Sequence, residues 1–182
     1  YLIMAFIAIF GQSLSMSQDR TLVLDHVKIL QKIRRIAYQI YEFNYQENSL
    51  VMVAIEKKGV IMAERVAPIL EDISGIKVEI LKLQINKENP KEKPGWDGDT
   101  NLLNEKSVVL VDDVLNSGRT LIYAARHILD FNIKKLTTAV LVDRRHRRFP
   151  IKADFAGMTL STTLQDHIAV EFSEGNDAVY LE

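Results

Sequence analysis

No cysteine occurs among the 182 residues, which removes disulfides, thiolate metal sites and a cysteine nucleophile from consideration. Its absence suits a reducing compartment, and a cytoplasmic location is the expectation. An excess of one charge is lacking too: 23 basic and 24 acidic side chains leave a net charge of -1. The chain as a whole therefore exerts no strong pull on nucleic acid or anionic membrane, so any basic function must be local. Nor does the uncharged opening, residues 1–16 ("YLIMAFIAIFGQSLSM"), reach the length of about 20 residues that a membrane-spanning helix needs, and no membrane partner is expected. A secretion signal would begin with positive charge, which is missing here. Residues 1–16 read as an apolar extension upstream of a start at Met16, with a packed or oligomer-forming arm as the other reading. Residues 17–182 read as a single domain.

What is present is ordinary for such a domain, with 47% hydrophobic and 26% charged residues. From Asp25, a helix N-cap by type, apolar residues recur at Val27, Leu30, Ile33, Ala37, Ile40 and Tyr41, and the spacing predicts an amphipathic helix. "SLVMVAI" (49–55) is a continuous apolar strand, "EKKG" interrupts it, and 60–73 read as a helix with a possible kink at Pro68. A second strand is predicted at 77–85. Residues 86–105 include Pro90, Pro94, Gly95 and Gly98 and read as a long loop of the kind that forms lids. A strand at 107–111, a helix at 119–131 and a strand at 136–142 follow. The tail offers short strands in "ADFAG", "IAVEF" and "AVYLE", the last two joined by the turn-forming "SEGND". Apolar strands alternating with helices predict a mainly parallel sheet flanked by helices, with ligands beyond the carboxyl ends of its strands. The tail predicts a C-terminal β-hairpin.

At one such end stands "SVVLVDDVLNSGRTL" (107–121). A loop of small residues before a helix aims backbone N–H groups at one point, and the helix start adds about half a positive charge. Ser117 and Thr120 add hydroxyl donors, and Gly118 permits close approach. Asp112 and Asp113 cannot bind phosphate, so they face hydroxyls or a hydrated cation. A sugar phosphate answers to both halves of the motif.

"VVLVDDVLNSGRT" resembles the signature of type I phosphoribosyltransferases, which bind 5-phosphoribosyl 1-pyrophosphate (PRPP). The response-regulator receiver also pairs acids after a strand, but its phosphoacceptor and downstream lysine would run short of chain here. "DRTLVLDHVKILQKIRRIAYQI", "VAIEKKGVIMAERVAPIL" and "AVLVDRRHRRFPIKADFAG" followed by "LSTT" extend the resemblance from Asp19 to Glu182, to the bacterial pyrimidine operon attenuator/uracil phosphoribosyltransferase family. The resemblance implies the type I phosphoribosyltransferase fold with a small hood, and conversion of uracil and PRPP to UMP and pyrophosphate. Asp112 and Asp113 would be catalytic, and Val114, Leu115, Asn116, Ser117, Gly118, Arg119 and Thr120 would hold PRPP. Lys57, Lys58 and Gly59 would form the pyrophosphate loop, Val142, Asp143 and Arg144 the base pocket, and Asn86, Lys87 and Glu88 the lid. Mg²⁺ would be held mainly through PRPP, without dedicated protein ligands. A homo-oligomer, dimer or higher, is also implied.

Two loops depart from the family pattern. Its pyrophosphate loop commonly reads Lys-Thr-Arg-Gly, where Glu56 and Lys58 stand here, and its lid Tyr-Arg-Asp-Asp is replaced by "NKEN". Asn116 occupies the position at which 6-oxopurine enzymes carry Asp, and Asn cannot take a proton from purine N7. A pyrimidine substrate is therefore expected. Arg144, Arg145, His146, Arg147 and Arg148 form the strongest basic cluster and a candidate RNA contact. An RNA-binding nucleotide sensor with little catalysis, and a hypoxanthine-type transferase, remain the alternatives.

Overall fold

A computed structural model describes residues 20–162 and 166–182. The expectations for residues 1–16 and for Thr163 lie outside these residues. The main sheet is built from β2 (Ser49–Ile55), β3 (Lys77–Gln84), β4 (Gly95–Asp97), β5 (Ser107–Leu115), β6 (Lys135–Asp143) and β7 (Phe155–Thr159). Its strand order is β4-β3-β2-β5-β6-β7. All neighbours run parallel except the short β4, which is antiparallel to β3. β1 (Thr21–Leu24), β8 (Ile168–Glu171) and β9 (Ala178–Leu181) make a separate antiparallel sheet, ordered β1-β9-β8. The expected hairpin is β8–β9, and "ADFAG" contributes instead to the parallel sheet as β7.

Helices cover both faces. α1 (His26–Asn44) and α2 (Lys58–Ser74) share one core with alternate residues of β2 and β5, among them Leu50, Met52, Val109 and Val111. α3 (Arg119–Ile128) packs on the other face, against Val51, Val53, Val108 and Leu110. This two-sided burial explains why β2 reads as an unbroken apolar run. Among the described residues no helix is long and apolar enough to cross a membrane.

Asp25 caps α1 as expected, its carboxylate accepting the Lys28 amide at 2.8 Å. The buried face of that helix keeps Ile33, Ala37 and Ile40 from the spacing but departs from it at the start of the helix. Ile29, Ile33, Ile36 and Ile40 are buried, whereas Val27 and Leu30 are 62% and 45% exposed. Pro68 interrupts nothing, since α2 runs through it with the proline on the exposed side. There the carbonyl left without an N–H partner can be solvated. The 86–105 segment is also less irregular than expected: β4 pairs with β3, and a 3₁₀ turn at Thr100–Leu103 follows.

The chain travels outward from β2 to β3, then returns to lay β5 on the opposite edge of β2. That reversal is the topological switch point of an open α/β sheet, where the loops after two adjacent parallel strands diverge and leave a crevice.

Candidate functional site

A cavity of about 770 Å³ occupies this crevice, lined by residues 55–58, 85–88 and 112–121 with Arg144, His167 and Ile168. It brings together Lys57 and Lys58, expected in a pyrophosphate loop, Asn86, Lys87 and Glu88, expected in a lid, and the whole Asp112–Thr120 segment. Two helices open onto it. α2 begins at Lys58 and α3 at Arg119, and neither preceding N-cap residue supplies a side-chain hydrogen bond. The first amides of each helix, which have no intrahelical acceptor, therefore make two positive patches on either side of the acid pair.

Each loop is shaped by its own backbone. Lys57 adopts φ 69° and ψ -103°, a conformation costing on the order of 1–3 kcal/mol for a residue with a Cβ and typical of ligand-binding turns. Gly59 follows, buried beneath the site rather than lining it. A Cβ there would stand 2.8 Å from the Val111 carbonyl oxygen, so only glycine lets α2 start this close to β5. Gly118 serves the fold as well as ligand access. Its φ is 82°, and a Cβ would stand 2.7 Å from Ile151 Cγ2. The Arg119 amide donates to Ser117 Oγ at 3.3 Å, and the amides of Arg148 and Phe149 donate to the Ser117 carbonyl.

The two acids differ in exposure, Asp112 being buried and Asp113 half-buried. β5 continues past Val111 to Leu115, because Asp112, Val114 and Leu115 keep register with Val140, Val142 and Asp143 of β6. Asp112 is consequently 5% exposed. Burial, and then the charge and hydrogen bonding of Asp113, push its carboxyl well above the ordinary 3.8, while Lys87 in the lid pulls weakly the other way. The Asp112 carboxyl thus holds its proton more firmly than an ordinary carboxyl does.

The lid is folded on itself. Asn86 Oδ1 accepts the amides of Glu88 and Asn89, and Arg119 reaches across to the Glu88 carbonyl at 3.4 Å. Among the described residues no group of three or more His, Asp or Glu is arranged to hold a metal. Hard carboxylate oxygens at Asp112 and Asp113 suit the water shell of Mg²⁺.

The three residues expected at the base pocket are placed differently from one another. Val142 is core, and the buried Asp143 carboxylate is committed to its own turn, accepting Arg147 Nη2 at 2.5 Å and the Arg145 amide at 3.0 Å. Only Arg144 of that trio lines the cavity. Arg144 is also corrected as an RNA contact. It is 5% exposed and donates to Thr162 Oγ1 at 2.5 Å and Asn116 Oδ1 at 2.9 Å. Arg145, Arg147 and Arg148 are exposed, and His146 is half-buried. His167 and Ile168, which line the cavity from the second sheet, escaped the sequence reading because nothing local in "DHIAV" marks a strand folded back over a distant loop.

The phosphoribosyl transferase domain family matches residues 19–175. Bifunctional protein PyrR of Limosilactobacillus fermentum is 35% identical over 173 residues, covering 88% of this chain and 96% of that protein. Its counterpart in Latilactobacillus sakei is 37% identical over 163 residues, covering 84% and 90%. A solved hypoxanthine phosphoribosyl transferase of Trypanosoma cruzi superposes with a TM-score of 0.71 at 18% identity, covering 89% of this chain and 91% of that one. The last likeness carries the architecture alone. The family match takes in every residue that lines the cavity, from Ile55 to Ile168, and the protein belongs to the phosphoribosyltransferases, alongside the PyrR proteins.

Proposed function

We propose that the protein transfers the phosphoribosyl group of PRPP to uracil, giving UMP and pyrophosphate, and that the same pocket acts as a nucleotide sensor in regulating pyrimidine-operon RNA. The observation that carries the reading is the pair of helix starts, at Lys58 and Arg119, facing one cavity across the acid pair. PRPP is a ligand with two anionic ends and a diol between them. Its 5′-phosphate fits the backbone of the 116–120 loop with the Ser117 and Thr120 hydroxyls, its pyrophosphate fits the α2 start with Lys57 and Lys58, and its ribose hydroxyls fit Asp112 and Asp113.

In the reaction the bond from ribose C1 to pyrophosphate breaks as a bond to uracil N1 forms, and the N1 proton leaves to solvent. Positive charge gathers on the ribose in between, so positioning and electrostatics carry catalysis. Asp112 and Asp113, set against the ribose, stabilise that charge and hydrogen-bond its hydroxyls. Lys87 and Glu88 close over the centre and restrict water. Mg²⁺ arriving with PRPP, held by its oxygens and reached by the two carboxylates through water, would neutralise the departing pyrophosphate.

A second reading, a nucleotide-sensing RNA binder with little turnover, draws on Glu56 and Lys58. There the family pattern has a cation and a forked arginine, and their loss weakens the grip on pyrophosphate. Purified protein given PRPP, Mg²⁺ and uracil, hypoxanthine, guanine or xanthine separates the readings. Uracil is expected to turn over, with the purines slower by about 100-fold, the scale of a missing general base. Preference for hypoxanthine would overturn the base assignment. UMP-dependent RNA binding without turnover of any base would favour the sensor.

A further inference from the structure

Asn116 lies at the cavity wall and is exposed to it, yet one end of its amide is already taken. Arg144 Nη1 donates to Asn116 Oδ1 at 2.9 Å, Arg144 Nε donates to Thr162 Oγ1 at 2.5 Å, and the Arg144 amide donates to the Leu115 carbonyl at 3.0 Å. Arg144 is thus pinned from three sides, in backbone and in guanidinium, and is almost wholly buried. A guanidinium has five donors and no acceptor. The end of the Asn116 amide that meets it must be the oxygen, which leaves the –NH₂ as the end with which the side chain can meet a ligand in the cavity.

We propose that Arg144 is a positioning residue that makes Asn116 an obligate hydrogen-bond donor, so that the pocket selects bases presenting a carbonyl oxygen or other acceptor to it. The proposal rests on the phosphoribosyltransferase reading above and names the base class that reading takes. Uracil offers two carbonyls and satisfies the donor. A 6-oxopurine reacting through N9 presents N7–H on its imidazole edge, and there two donors face each other with no water between them. Discrimination against purines therefore has a cause besides the missing proton acceptor: the amide is held in the orientation that opposes them. A freely rotating Asn would turn its oxygen to the N–H and lose most of that selectivity.

Thr162 and Leu115 belong to the same device. They hold Arg144 from the loop after β7 and from the end of β5, so the orientation of one amide is set by three segments distant in the chain.

The test uses the full chain in two readouts. In ¹⁵N-labelled wild type, the Asn116 side-chain NH₂ pair, assigned by its loss in Asn116→Asp, should shift on saturation with UMP. In Arg144→Met that shift should shrink or split as the amide turns over. The ratio of kcat/KM for uracil over hypoxanthine should fall by roughly 10- to 100-fold in Asn116→Asp, where an acceptor replaces the donor, and move the same way in Arg144→Met. This ratio is internal to each sample and does not depend on the fraction folded. Where Arg144→Met fails to fold, Thr162→Val, which removes the acceptor that holds the guanidinium, is read in the same two ways. An NH₂ pair unmoved by bound UMP, or a ratio unchanged in Asn116→Asp, overturns the proposal while leaving the phosphoribosyltransferase reading in place. Failure of both UMP and PRPP to bind overturns that reading, and the proposal with it.

Discussion

At the residue scale the buried carboxyl of Asp112 links function to stability. Its proton is held well above the ordinary 3.8 by burial and by Asp113. The unfolded chain releases that proton near pH 4 while the folded chain keeps it, so folding takes up a proton across the interval. The associated stability is complete below about pH 4 and is lost as pH rises toward the folded value. Asp112→Asn should therefore raise Tm at pH 7 by roughly 3–6 °C, equivalent to about 1–2 kcal/mol. The gain should vanish near pH 3.5, and melting curves at the two pH values check this. Activity should fall at least 100-fold, because an amide cannot give up a proton and become anionic as the ribose gathers positive charge. A variant that loses stability at pH 7 would contradict the assignment. Gly59→Ala should do the reverse and destabilise the fold, since its Cβ meets backbone; a cost of about 1–3 kcal/mol is expected for such overpacking, read as a lower denaturation midpoint.

At the scale of elements, the second sheet is tied to the helices by Asp177. Its carboxylate is buried and accepts Arg65 Nη2 at 3.0 Å, His26 Nδ1 at 3.0 Å and the Ser173 amide at 2.9 Å. The Arg65 guanidinium also lies over the Phe172 ring. Burial alone would raise Asp177, but the bonds and charge of Arg65, the Ser173 amide and His26 outweigh it and hold it below 3.8. Its contribution thus has the opposite sign to that of Asp112, being present above about pH 4 and lost as pH falls through the folded value. Asp177→Ala strands Arg65 and should cost about 3–5 kcal/mol at pH 7, with a smaller difference at pH 3. Because His167 and Ile168 hang from this sheet, KM for PRPP should rise as well. The exposed Arg145, Arg147 and Arg148 carry the RNA expectation. Three neutralised phosphates would give a log–log salt slope near -2, and Arg145→Ala with Arg148→Ala should flatten it. Equal affinity for a pyrimidine-operon leader and for unrelated RNA would remove the regulatory reading.

For the whole molecule, the parallel sheet was legible because β2, β5 and β6 are apolar on both faces, and the acid-rich loop because its residue types have few other uses. What stayed hidden depends on partners remote in the chain. Thr21–Leu24 is an edge strand whose pairing partner begins at Ala178, and nothing in four residues announces that. The burial of Asp112 follows from register with β6, and the stance of Asn116 from Arg144. The face of α1 was misread only in its first turns, since Val27 and Leu30 fit a helical spacing as well as Ile29 does. The same return of the chain that opens the crevice also sets an order of assembly. β2 pairs with β3 through a nearby connection, but its other edge waits for β5, synthesised only after the lid and the 3₁₀ turn. During that interval an apolar strand, Leu50 to Ile55, has a row of unpaired backbone groups, a template for pairing with another nascent chain. The segment between them therefore lengthens the time in which the chain can aggregate during synthesis, and a loop proposed to cover the substrate is also a delay in folding.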